Sequence, residues 1–313
     1  MILMFSHALA YETDQLTDRL VPLADAAPEA NERVDQMLAA AVGRTNTITR
    51  CKGSRETIRR VLAYQVDTEM AHAEFVPDRG ELAGLGYGAY AAWLETADIP
   101  RRTFKKGEDI YGDLKPMESV VLGTVGVCST INLGGVLMGT DKPDHFWSQG
   151  YEYYVASLFG KRDRAAIRWG TASEKGQYGL LTSNVFSFAD LYANWQGYGF
   201  YKSLLEPGSV LQQAEDGCVT QTRPWRWEEW LDHAADEVFN PPVYEDAVRD
   251  AVRERLEREK GEICSAWDQW HGQLSDALLV REAQHASSRA PRRSDEWGLQ
   301  SMCGGGVTAG ASR

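Results

Sequence analysis

The chain has 313 residues, with 33 Lys and Arg against 45 Asp and Glu, a formal net charge of −12 and 43% hydrophobic residues. That length and apolar content are enough for a buried core and exclude wholesale disorder. The acidic balance excludes generic nucleic-acid binding, because no basic stripe is present to displace counterions from phosphates.

The first residues, MILMFSHALA, are apolar and give way sharply to YETDQLTDR. Ala8 and Ala10 stand at the −3 and −1 positions of an A-x-A cleavage pattern, so residues 1–10 read as the remnant of a signal peptide, although a basic n-region is missing. This reading places the protein in the periplasm or outside the cell. The alternative, an ordinary apolar N-terminal turn, leaves it in the cytoplasm. Cys51, Cys128, Cys218, Cys264 and Cys303 are widely spaced and contain no CxxC pair. In an exported chain they allow one or two disulfides with a thiol left over, and in a cytosolic one they are idle thiols.

From about residue 12 to 98 the pattern is helical: VDQMLAAAV, then SRETIRRVLAYQVDTEM with Ser54 as N-cap, then AYAAWLETAD ending before Pro100. RRTFKKGEDIYGDLKP reads as a charged loop. The uncharged stretch Ser119–Thr140 is too rich in Gly, Ser, Thr and Asn for a membrane span, and Asn132-Leu133-Gly134-Gly135 reads as a hairpin turn. Two aromatic-rich helices follow, about Pro143–Phe159 and Ser187–Leu205, joined by a Gly-containing loop in which Glu174 is expected to be solvated. WRWEEWLDHAADEVF is expected to be a Trp-rich helix ending at Pro241-Pro242. A charged amphipathic helix, about Tyr244–Leu279, has Gly261 as a candidate break, and its run RDAVRERLEREKGE reads as a solvated face. Residues 287–313, rich in Ser, Gly and Arg, read as a disordered tail. The expected architecture is mainly α, a helical bundle with a small β-hairpin element forming a single domain over 11–286, with no transmembrane span.

Chemistry concentrates on the two aromatic-rich helices. At 3.6 residues per turn Asp141, His145 and Glu152 fall within roughly 40° of one another on the first. Its remaining circumference is bulky, and Phe146, Tyr154 and Leu158 are expected in the core. On the second helix Asp190, Asn194, Gly197 and Tyr201 share a face, with Ser187 placed to cap Asp190. An interior Asn and the glycines Gly197 and Gly199 cost helix propensity, which points to a close approach by another backbone or a ligand. If the stripes face each other, Asp141, His145, Glu152, Asp190 and Asn194 converge, with Lys142 as a further counter-ion. Buried carboxylates must be neutralised or paired, so a bound divalent cation or a tuned acid/base pair is the natural resolution.

The ordered strings D-K-x-x-H-F (Asp141, Lys142, His145, Phe146) and D-x-x-A-N-x-x-G (Asp190, Ala193, Asn194, Gly197) resemble the signature of VanZ-like proteins and of a wider group of bacterial envelope proteins, over about 60 of the 313 residues. The resemblance implies an envelope location; VanZ-like proteins are mostly small integral membrane proteins associated with glycopeptide-antibiotic resistance. The two motif helices of this chain are aromatic and polar.

Two functions follow. In the first the protein is an envelope-associated hydrolase. His145, Glu152 and Asp190 are then its catalytic candidates, and Asp141, His145 and Asp190 the candidate ligands of a divalent cation. Lys142, Trp147, Tyr151, Asn194, Gly197 and Tyr201 are the candidate substrate-binding residues, with Tyr153 as a further ring for stacking, and the substrate is a cell-envelope glycan or lipid headgroup. A glycosidase variant of this reading needs the Glu152 and Asp190 carboxyls about 5–9.5 Å apart across a cleft. In the second the same residues form a buried hydrogen-bond network that fixes helix register in a non-catalytic envelope protein, which binds its partner through Trp225, Trp227 and Trp230.

Overall fold

The computed structural model describes residues 11–19, 21–74, 76, 86–115, 118–119, 122, 126–159, 163–176, 179–270 and 303. The signal-peptide reading of residues 1–10 lies outside these residues, as does the tail over 287–313 apart from Cys303. The protein is mainly α-helical with small β elements, all of them two-stranded pairs among the described residues. No helix among the described residues is long and apolar enough to cross a membrane.

Helix α1 (Ala27–Thr49) carries Pro28 in its first turn, where a missing N–H costs nothing, and ends at Arg50 in the left-handed region. Helix α2 (Arg55–Ala71) starts as its sequence signals, with Ser54 Oγ accepting from Thr57 N at 3.2 Å. The disulfide Cys51–Cys218 ties the α1–α2 turn to the hairpin of β8 (Leu211–Gln213) and β9 (Val219–Gln221). Cys264 bonds Cys303, tying that residue to the last helix; Cys128 is buried and forms no disulfide. The expected hairpin forms from β5 (Thr130–Leu133) and β6 (Val136–Gly139). Gly134 and Gly135 turn it with φ of 63° and 90°, the left-handed values that a two-residue turn requires.

Helices α4 (Asp141–Phe159) and α6 (Phe188–Ser203) are the closest-packed pair in the fold. Glycines make this possible. A Cβ on Gly150 would stand 2.7 Å from Gly197 Cα, and one on Gly197 would collide with the Phe146 carbonyl. Gly199 has open space around it, so close approach does not account for its helix cost. Behind the pair lies an aromatic core in which Phe146, Trp147, Phe200, Trp225 and Trp227 meet mostly edge to face, with centroids 4.8–5.9 Å apart. Fully burying each such ring contributes about 2–3 kcal/mol.

Four expectations need correction. The Trp-rich segment is two 3₁₀ turns, Trp227–Glu229 and His233–Ala235, and not an α-helix. Its backbone N–H groups are taken by α1 side chains, Trp225 N by Asp35 Oδ1 and Trp227 N by Asn31 Oδ1, at 2.8 and 2.9 Å. The expected loop between the aromatic helices contains α5 (Asp163–Lys175), whose Ala166, Gly170, Thr171 and Glu174 face inward; Gly170 belongs in that helix because a Cβ there would strike the Tyr153 hydroxyl. The last helix, α7 (Asp246–Trp270), runs through Gly261 unbroken. Finally, Leu158 is 41% exposed and lies beside the more exposed Phe159 at the end of α4, outside the core.

Gly197→Ala is therefore expected to destabilise the protein by about 1–3 kcal/mol or more through overpacking, whereas Gly199→Ala stabilises it by up to about 1 kcal/mol through helix propensity. Urea unfolding of the two variants beside the parent checks both signs.

Candidate functional site

The first turn of α4 places Lys142 in the interior. Its side chain is completely buried, and Nζ lies 2.7 Å from Asp141 Oδ2, 2.6 Å from Asp190 Oδ1 and 2.7 Å from Glu237 Oε1. Asp190, on the first turn of α6, uses its other oxygen against His145 Nε2 at 3.2 Å. His145 Nδ1 meets Asn194 Oδ1 at 3.0 Å, and Asn194 Nδ2 donates to Gln149 Oε1 at 2.9 Å. The contacts run unbroken from Glu237 through Lys142, Asp190 and His145 to Asn194 and Gln149, and every member is buried.

Separate elements deliver these groups. Ser187 caps α6 by accepting from Asp190 N at 3.1 Å, and the Asp190 carboxylate is left free to face α4. Ser187 also joins two acids that the sequence does not place together: its N–H donates to Glu174 Oε1 and its hydroxyl to Glu237 Oε1, both at 2.8 Å. Glu237 follows Asp236, whose carboxylate holds the buried Arg19 guanidinium at 2.7 Å. Glu12 arrives through the parallel pairing of β1 (Glu12–Thr13) with β4 (Val127–Cys128). A small cavity lined by Thr13, Gln15, Ile110, Tyr244 and Leu256 borders Glu237.

Burial dominates the electrostatics. On its own it would lower the Lys142 ammonium, but Asp141, Asp190 and Glu237 outweigh it and push the group well above the usual lysine range. Burial lifts Asp141 to about 6 and Glu237 to about 7, Lys142 pulling both down and Asp190 pushing both up. Asp144, on the opposite side of the α4 first turn, rises to about 7 by burial, with His145 opposing. Glu12 and Glu174 are raised well above the carboxylate range, first by burial and then by Asp190; Glu237 adds to Glu12, and Glu12 to Glu174.

Asp141, His145 and Asp190 each offer a ligand atom within 4.8 Å of the others, as a metal centre requires. Yet Lys142 Nζ already holds Asp141 Oδ2 and Asp190 Oδ1. A cation at that point would have to displace the ammonium, and in this structure the lysine supplies the positive charge expected of a metal.

Several anticipated site residues lie elsewhere. Glu152 Oε2 accepts from Trp169 Nε1 at 2.8 Å, so Glu152 and Asp190 face different partners and do not flank a shared cleft. Trp147 and Tyr201 are fully buried core residues, joined by the Tyr201 hydroxyl donating to the Trp147 carbonyl at 2.9 Å, and offer no face to a substrate. Tyr153 is buried with its hydroxyl toward Asn194; Tyr151 is half-buried against Tyr154 and Tyr201. Lys142 and Asn194 are equally inaccessible, and Gly197 serves helix contact. Trp225 and Trp227 are core and Trp230 packs against it, which removes the proposed partner surface. Glu174, expected in water, is 1% exposed. Sequence reasoning missed Glu12 and Glu237 altogether. The one available signal was an acidic pair, Asp236-Glu237, set between apolar residues before Pro241-Pro242.

Two outcomes follow. Lys142→Met leaves three buried carboxylates without their cation and is expected to cost about 3–5 kcal/mol, measurable by urea unfolding. Because burial raises Asp141, Asp144 and Glu237 in the folded state above their unfolded values near 4, the folded protein holds more protons between about pH 4.5 and 7. Stability therefore falls as pH rises through that window, and the urea midpoint is higher at pH 5 than at pH 7.5. Glu237→Gln flattens this slope; a midpoint that rises with pH refutes the assignment.

Set against known proteins, the chain matches no family model, no curated protein and no solved structure.

Proposed function

We propose that the Lys142 centre is the acid/base site of an envelope-associated hydrolase, with His145 and Asp190 as the proton-transferring pair and Lys142 as a fixed positive charge. The observation that carries this reading is incompleteness. Glu174 Oε2 is buried without a hydrogen-bond partner among the described residues, and Glu12, fully buried, has its burial offset by little more than the Ser183 hydroxyl; an unmet buried oxygen costs about 1–3 kcal/mol. A network kept only to fix helix register is expected to be fully satisfied, whereas one that handles protons or a ligand carries unmet groups and shifted acids.

The two disulfides, Cys51–Cys218 and Cys264–Cys303, support an oxidising compartment, periplasmic or extracellular. An envelope glycan or lipid headgroup is the substrate class that fits such a compartment. The motif residues Asp141, Lys142, His145, Phe146, Asp190, Asn194 and Gly197 all lie where α4 meets α6 or in the core behind it, which supports the resemblance to VanZ-like proteins at the level of these two helices. The competing network reading draws on the completed half of the centre, the run His145–Asn194–Gln149.

The two readings separate on a panel of chromogenic esters, phosphodiesters and glycosides. His145→Ala and Asp190→Asn are expected to lower turnover by about 10²–10⁴-fold while the thermal transition stays cooperative. If the parent turns over nothing on the panel, or both variants keep its rate, the catalytic reading fails and the register-fixing network replaces it.

A further inference from the structure

The two sides of α5 differ sharply. Ala166, Gly170, Thr171 and Glu174 are buried against α4 and α6, whereas Arg164, Arg168 and Lys175 are exposed. At 3.6 residues per turn these three cations fall within about 40° of one another. None of them has an ion-pair partner among the described residues. The two acids of α5 do not offset them. Glu174 is buried and accepts from Ser187 N, while Asp163 is held by the Tyr198 hydroxyl at 2.8 Å and by Lys202 Nζ at 3.0 Å. In a chain of net charge −12, this helix turns outward a face whose unpaired charges are all positive. Exposed rings border it. Trp169, 41% exposed, is pinned at Nε1 by Glu152 of α4, and Gly170 lies against Tyr153. Because α5 starts only four residues after Phe159, these contacts fold it back along α4. Its first turn then stands beside the end of α4, where Phe159 is 85% exposed.

We propose that this face of α5, with Phe159 and Trp169 at its edge, is a docking surface for an anionic phospholipid membrane. The helix does not lie in the bilayer, since its apolar side is packed on α4 and α6; it meets the headgroups with its cations. Charge complementarity selects an anionic surface, which a protein of net charge −12 would otherwise be repelled by. The exposed ring of Phe159 selects a membrane over a soluble polyanion. A bilayer offers an apolar layer just beneath its charges, and aromatic side chains settle at that boundary. So few anchors give reversible attachment and not insertion, in keeping with the lack of any membrane-crossing helix among the described residues. The inference draws on α5 and the end of α4 and stands whether or not the Lys142 centre is catalytic.

The test is co-sedimentation of the full-length protein with vesicles at low ionic strength, made of phosphatidylcholine alone or of phosphatidylcholine and phosphatidylglycerol in equal parts. The protein is expected to bind the anionic vesicles and not the neutral ones. It is released at about 1 M NaCl, where screening acts within about 3 Å. Arg164→Gln, Arg168→Gln and Lys175→Gln each lower partitioning about fivefold, and together about a hundredfold. Phe159→Ser also lowers it, whereas Lys115→Gln, which removes an exposed cation elsewhere, leaves it unchanged. These positions are all exposed, and an unchanged thermal transition shows that the variants fold. Equal sedimentation with both vesicle types, or none with the anionic ones, overturns the proposal, as does binding that the triple variant retains. Binding to dextran sulfate as tight as to anionic vesicles, and indifferent to Phe159→Ser, also overturns it and assigns the face to a soluble polyanion. Turnover enters none of these readings, so the membrane proposal and the hydrolase reading fail separately.

Discussion

One ammonium group determines how the interior of this protein is organised. Lys142 Nζ sits with no exposure among Asp141, Asp190 and Glu237, each 2.6–2.7 Å away. Taking a cation and its partners out of water costs several kcal/mol per ion, recovered only when the pairing geometry is good. Here the geometry is good and the three acids come from three parts of the chain: the start of α4, the start of α6 and the segment before Pro241. The ion cluster therefore joins elements that hydrophobic packing alone would leave free to slide. The same contacts set the chemistry, because Asp190 spends one oxygen on Lys142 and turns the other toward His145.

Packing and electrostatics constrain each other. Asn194 reaches His145 because α4 and α6 are pressed together at Gly150 and Gly197. The aromatic core behind them, from Phe146 to Trp227, keeps water away and so shifts the acids upward. The fold trades stability for this arrangement: the burial that packs the acids together disfavours their charged forms and raises Asp141, Asp144 and Glu237. Such a trade is characteristic of sites kept for what they do.

Much of the candidate site was legible, because helical spacing is a local rule. Asp141, His145, Asp190 and Asn194 were placed on two facing stripes, and in space they meet. Glu152 shows where the rule stops. Its angular position on α4 matches Asp141 and His145, but seven residues of rise carry it about 10 Å along the axis beyond His145, where Trp169 of α5 receives it. Periodicity reports the face of a helix and is silent about depth. The Trp-rich segment failed for a different reason. Its apolar spacing suits a helix, yet side chains of α1 take its backbone N–H groups.

The sequence by itself determined the helical class, the Gly134-Gly135 hairpin, the caps and the two polar stripes, since each depends on neighbours within about a dozen residues. Only the tertiary structure decided that Lys142 would be the central counter-ion and that Glu12, Glu174 and Glu237 would join the centre. It likewise made Trp147, Tyr201 and Trp225 core and not recognition surface, and paired Cys51 with Cys218. These outcomes depend on contacts such as Lys142–Glu237 and Cys51–Cys218, 95 and 167 positions apart, and no local pattern encodes which distant carboxylate will share a buried lysine.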